Sequence, residues 1–216
     1  CMKGLIVNMK KTEWKGSALL APVPPALVTC SAETDDGEVI NNILTVAWTG
    51  IVCSKPAKTY ISLRPSRYSY ELVRKSGEFV INLTTTELVN AADFCGVRSG
   101  RNFDKFEACG LHTAKASKVR APLLEESPVS LECRVFDINE LGSHVMFLAD
   151  IVAVDVDESL VDSEGRLMIE RAGLIAYAHG DYFSLGRRLG DFGFSVRKKR
   201  KNAYGKRPPK PKSGQK

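Results

Sequence analysis

The run Thr45–Pro56, TVAWTGIVCSKP, decides how the rest of the chain is read. Its β-branched and aromatic residues are those of a strand, and it stops at a proline, which cannot donate to a sheet ladder. Two threonines, a tryptophan and a glycine crowd its first half. The run therefore reads either as the edge of a core or as a strand whose backbone and rings face a ligand.

The chain continues as Tyr60–Tyr70, YISLRPSRYSY, in which a strand runs into a helix start through three serines and two arginines. Unpaired amides at a helix N-terminus, hydroxyls and a guanidinium fork make an oxyanion site, and arginine favours phosphate because it pairs with it bidentately. The plainer reading is a helix from Ser66 or Ser69 to about Lys75, capped by one of those serines and ended by Gly77, with arginines on its surface. A phosphate site one strand away from an aromatic, backbone-exposing strand suits a ligand with a flat ring and a phosphate tail, such as flavin mononucleotide (FMN).

Further strands are expected at Ala26–Ser31, Ile43–Val52, Thr59–Leu63, Glu78–Leu83, Val129–Ile138 and His144–Val156, the last long enough to call for a bend or bulge. Helices are expected near Thr86–Phe94 and Phe103–Ala108. Strands outnumber helices and the two do not alternate, so a parallel βαβ sheet is excluded. A mainly β fold, an antiparallel barrel with helices on its outside, accounts for the pattern because closure removes exposed strand edges.

The 216 residues are enough for one large β-rich domain that folds without disulfides or metal. Ten of the 31 basic residues lie in Arg197–Lys216, which holds no acid; residues 1–196 thus carry 21 basic against 25 acidic residues, about −4. The folded body is expected over 1–196 and a disordered basic tail over 197–216. That distribution argues against a nucleic-acid platform, leaving the tail to touch anionic surfaces weakly. No apolar run is long enough to span a membrane, and the opening CMKGLIVNMKK lacks a signal peptide's cleavage site, so a cytoplasmic protein is expected.

The six cysteines form no CxxC pair and the three histidines are far apart in sequence, so no metal site is expected. P-loop, GxGxxG, HExxH and GxSxG motifs are all missing. An enzyme built on this chain would borrow its reactive group from a cofactor.

Several segments together resemble the flavin reductase-like family, in its flavoredoxin-type branch. They are Asn42–Trp48, Ser54-x-Pro56, Arg67–Leu72, Glu78–Leu83, Cys95–Arg101 running into Asp104–Phe106, His144, Tyr182–Gly186 and Gly190–Phe194. The resemblance implies a Greek-key antiparallel split barrel binding FMN at a homodimer interface. It assigns the ring to main-chain groups of Thr45, Val46, Ala47 and Trp48, and the phosphate to Ser62, Arg67 and Ser69. Lys105 would reach the phosphate or the ring, and Arg64 or Lys55 stand as alternatives to Arg67. It implies electron flow from NADH or NADPH through FMN to a small-molecule or protein acceptor. His144 reads either as a group near the nicotinamide face or as a structural polar residue. Cys53 reads either as a buried hydrophobe or as a redox-active neighbour of the ring. The alternatives are a ferric-chelate reductase using the same flavin, or a non-enzymatic protein that binds through its basic tail.

Overall fold

The computed structural model describes residues 10–197. All but the first residue of the expected tail lies outside them. The chain divides into two units, one ending at Leu185 and the other beginning at Gly186. In the first, the elements run β1 (Ala26–Glu33), β2 (Val39–Val46), β3 (Thr49–Ser54), β4 (Ala57–Leu63), α1 (Tyr68–Ser76), β5 (Glu78–Asn82), α2 (Val89–Val97) and α3 (Lys105–Cys109). Two short strands follow, β6 (Thr113–Ala114) and β7 (Leu123–Leu124), then the long β8 (Val129–Glu140) and β9 (Val145–Val156). A hairpin of β10 (Ile175–Ala178) and β11 (Asp181–Ser184) ends the unit.

The main sheet has seven strands in the order β2-β1-β5-β8-β9-β4-β3, every pair antiparallel. Its two outermost strands, β2 and β3, are consecutive in sequence and separated only by Ala47 and Trp48. The sheet therefore closes on itself through one bent strand, and the Ser62 amide donates to the Trp48 carbonyl (2.9 Å), carrying the β3–β4 ladder up to the bend. This is the Greek-key split barrel, mainly β with a few helices. It corrects the expectation of one continuous strand over Ile43–Val52: the first half pairs with β1 and the second with β4, so the backbone must turn between them. Lys55 and Pro56 form the turn of the β3–β4 hairpin.

The barrel interior follows from strand alternation. Ala26, Val28, Cys30 and Ala32 of β1 point inward with Leu44, Val46, Ile61, Leu63, Phe79 and Phe147, and α1 adds Tyr70 and Val73. The opposite face of β1 is also buried, because Leu27 packs with Ile43 under α2 against Leu88, Ala92 and Cys95. The bend expected in the last long strand is a bulge: the register moves from Glu132↔Ala153 to Cys133↔Ile151, leaving Val152 unpaired.

Two helix starts differ from expectation for identifiable reasons. No side chain caps α1, whose N-cap is Arg67, so neither Ser66 nor Ser69 has the capping role; Gly77 ends the helix as expected, at φ 66°. The second helix begins at Val89 rather than Thr86, because Thr85 bridges to Leu174 and the Thr86 amide donates to the Gly173 carbonyl (3.0 Å). The third starts after Asp104, whose carboxylate accepts from the Phe106 and Glu107 amides. The β10–β11 hairpin turns at His179 (φ 51°) and Gly180 (φ 104°), the pair of positive angles a tight hairpin of this hand needs.

Glu132 is wholly buried, and its carboxylate accepts from Ser117 N (2.8 Å), Ser117 Oγ (2.8 Å), Lys118 N (2.6 Å) and Val119 N (3.0 Å). One side chain on β8 thus fixes the turn of chain before β7. In the second unit, residues 186–197 make a short turn in which the Phe194 amide donates to the Asp191 carbonyl (3.0 Å) and Arg197 pairs with Asp191. Among the described residues no helix is long and apolar enough to cross a membrane.

Candidate functional site

The seam where β2 passes into β3 opens onto a cleft of about 670 Å³. The cleft is lined by Thr45–Trp48, by Ser62 and Arg64, and by Tyr177, Gly180 and Tyr182 of the last hairpin. Val46 is buried in the barrel, so what it shows the cleft is backbone. The Thr45 hydroxyl is already committed, donating to the Ala92 carbonyl of α2. The Lys105 ammonium takes the Ile43 carbonyl (2.7 Å) on the side of β2 away from β1. Strand amides alternate sides, so Thr45 turns its N–H and C=O to that same free side, and Ala47, in the bend just past the strand, also lines the cleft. Trp48 adds a 38% exposed indole.

A second, smaller cavity of about 200 Å³ adjoins the first and shares Leu44, Thr45, Arg64, Arg67 and Gly96 with it. It is strongly cationic: Arg64, Arg67, Arg98 and Lys105 line it, together with Ser66, Ser69, Ser99 and Asn42. The uncapped N-terminus of α1 lies on its wall, where the positive end of the helix dipole and unpaired amides favour an anion. Lys105 is 3% exposed and bonds the Ile43 and Cys95 carbonyls, which leaves the third of its ammonium hydrogens for a ligand. Burial, and then the positive charge of Arg67, push its pKa down, so an anion arriving in the cavity relieves both. Arg98 is steadied over Phe103 (5.5 Å), and Arg101, three residues on, lies over Tyr68 (4.9 Å). Gly100 comes so close to the Asn42 side chain that a Cβ would lie 2.2 Å from its Oδ1.

The residues singled out from sequence fall into two groups. Thr45, Val46, Ala47, Trp48, Ser62, Arg67 and His144 line the larger cleft; Ser69 and Lys105 line the smaller cavity, where Thr45 and Arg67 join them. Ser69 is buried and its hydroxyl accepts from Asn42 Nδ2 (2.7 Å), so it serves the packing of α1 on β2 as much as the cavity. Arg64 lines both cavities, whereas Lys55 sits in the β3–β4 turn and lines neither. Cys53, half-buried on β3, also lines neither. His144 precedes β9 with its Nδ1 2.9 Å from Ser143 Oγ; burial and the Arg64 charge hold its pKa below the ordinary range, so the ring is neutral at pH 7. Asn42, Asp93, Arg98, Ser99, Tyr177 and Tyr182 were not assigned roles from sequence. The Arg-Ser-Gly-Arg run at 98–101 carries an anion-loop composition that would have pointed to two of them. Tyr182 stays protonated, held high by burial and by the neighbouring Asp93 carboxylate.

Comparison with known proteins places this closed split barrel, with its cationic pocket beside an exposed strand seam, in a family. Residues 19–186 match the flavin reductase like domain, and the chain belongs to that family. Among solved structures it is similar to the flavoredoxin of Desulfovibrio vulgaris (Miyazaki F), at 30% identity and a TM-score of 0.78, over 87% of this chain and 100% of that one. The flavoredoxin of Methanosarcina acetivorans has the same fold at 22% identity and a TM-score of 0.76, over 88% of this chain and 100% of that one. Among curated proteins, the NADPH-flavin oxidoreductase of Streptomyces viridifaciens is 27% identical over 155 residues, 71% of this chain and 72% of that protein.

Proposed function

We propose that the chain is an FMN-binding oxidoreductase of flavin reductase or flavoredoxin type, taking electrons from NADH or NADPH and passing them to a small-molecule or protein acceptor. The observation that carries this reading is the joining of two unlike cavities: a cationic one at an uncapped helix start, and a larger one walled by free strand amides and an indole. FMN has a phosphate for the first and a flat ring for the second. Arg67, the α1 amides and Lys105 are the groups to hold the phosphate, with Ser66 and Arg64 beside them. Thr45 and Ala47 offer backbone donors to the ring.

Bound there, FMN would supply the redox chemistry, accepting electrons from a nicotinamide and releasing them to an acceptor. The chain's own groups bind, orient and exclude water. Backbone N–H groups of Thr45 and Ala47 favour negative charge on whatever they face, without reorganising. The neutral His144 imidazole, which lines the cleft, can take up or give a proton there. Tyr177 and Tyr182, with ring centroids 5.2 Å apart, line the cleft from the last hairpin. The family, and the donor printed in the name of the Streptomyces relative, support a nicotinamide donor.

The test is an anaerobic visible spectrum of the FMN-loaded protein. NADH or NADPH should bleach the flavin band, and an acceptor should restore it. A band that neither nucleotide changes would remove the donor while leaving the binding intact.

The reading extends to a homodimer. Ile51 and Val52 of β3 and Phe136 and Ile138 of β8 are exposed apolar side chains. A second copy covering them explains that exposure. Light scattering that returned only the single-chain mass of 23.7 kDa would rule the dimer out.

A further inference from the structure

Beneath the cationic cavity, α2 and α3 meet through two cysteines that the function above does not use. Cys95 is 1% exposed in the core under α2, and Cys109, the last residue of α3, packs against that same core and is only half-buried. Both side chains belong to one packed cluster where α3 meets α2, and each thiol acts on the other's ionisation. Between them in sequence lies the loop 98–104, which brings Arg98, Ser99 and Gly100 to the cavity, followed by Lys105, whose ammonium is held on the Cys95 carbonyl (3.0 Å).

We infer that Cys95 and Cys109 form an oxidation-sensitive dithiol whose disulfide clamps the loop 98–104 onto the anion cavity. The oxidant is a hydroperoxide, and the route follows from exposure. Peroxide reaches the half-buried Cys109 and transfers one oxygen, giving a sulfenic acid and water (from hydrogen peroxide). The buried Cys95 thiol then attacks that sulfur, the S–S bond forms, and a second water leaves. In sum two thiols and one hydrogen peroxide give one disulfide and two waters. Burial pushes the Cys95 thiol up to about 12 and raises Cys109 as well, so both rest as thiols at neutral pH and the reaction is slow there. Its rate should rise roughly tenfold per pH unit as thiolate becomes available. Nothing in this inference depends on which ligand fills the cavity.

The test uses the full chain, ligand-free, treated with hydrogen peroxide, then alkylated and mapped by mass spectrometry. A peptide joining Cys95 to Cys109, lost on adding dithiothreitol, is expected. Closing this loop should raise Tm by roughly 5–10 °C and slow hydrogen exchange in residues 98–104. Cys109→Ser should abolish the cross-link and the Tm rise together. Sulfinic acid accumulating on Cys109 with no cross-link would overturn the inference, and so would bridging of Cys109 to Cys53 of another chain. The cross-link, the sulfinic acid and the bridge to Cys53 are all read on the wild-type chain and so do not require the variant to fold.

Discussion

Arg67→Ala lowers affinity for FMN by roughly 10- to 100-fold while moving riboflavin affinity by no more than about threefold, the difference expected for one charge-assisted contact to a phosphate. Arg67 is the N-cap of α1 through its backbone, with no capping bond from its side chain, so truncating it leaves the helix start in place. Its guanidinium is exposed and lines both cavities, and its charge is one of those that depress Lys105. Removing it therefore takes away a phosphate partner while relieving the buried Lys105 ammonium of a like charge. Arg64 sits close enough to share the anion, which is why the loss is not larger. Fluorescence titration of the two flavins against both proteins separates the effects. Equal losses for FMN and riboflavin would mean that Arg67 acts on the ring side of the cleft.

Glu132→Ala should cost about 3 kcal/mol of unfolding free energy, because it leaves several buried or partly buried donors without an acceptor. Three of the four donors that converge on this carboxylate are backbone amides of Ser117, Lys118 and Val119, which have no means of turning away without moving the loop. Glu132→Gln should recover only part of the loss, since its amide group presents hydrogens to donors. Burial alone would raise the pKa of Glu132, but the bonds from Ser117, Lys118 and Val119 outweigh it and hold the carboxyl below the ordinary range. Its contribution is therefore full above the unfolded value of about 4.3 and disappears as pH falls through the lower folded value. Asp155, facing it, is held high by burial and by the Glu132 charge, so its contribution runs the other way and is lost as pH rises. Denaturant titrations of the parent and both variants at neutral pH check the size of the loss. A change below about 1 kcal/mol in Glu132→Ala would show that the loop finds other acceptors.

Much of the barrel can be read from the chain because its strands are locally distinct. Val129–Ile138 and the segment after His144 carry apolar, β-branched runs, and the second is long enough to demand the bulge found at Val152. The seam at Ala47–Trp48 is different. Both halves of that run have strand composition, and what breaks them is that β1 and β4 compete for one strand, which no local pattern encodes. The late start of α2 has the same origin, in backbone bonds from residues 85–86 to 173–174. At the site, Ser62 and Arg67 are legible because a strand end and a helix start adjoin in sequence. Asp93, Tyr177 and Tyr182 reach the cleft from α2 and the last hairpin, and only the closed fold brings them to Thr45. The pairing of Cys95 with Cys109 is hidden for a related reason. Their spacing matches no motif, and they meet because α3 folds back under α2.

The most direct test of the account is a titration of the purified, ligand-free protein with FMN and with riboflavin, followed by flavin fluorescence. The two cavities predict saturable binding of one FMN per chain, at least tenfold tighter than riboflavin because only FMN fills the cationic pocket with a dianion. A protein that left the fluorescence of both unchanged would contradict the assignment of the cleft. Equal affinity for the two would contradict the assignment of the pocket around Arg67 and Lys105.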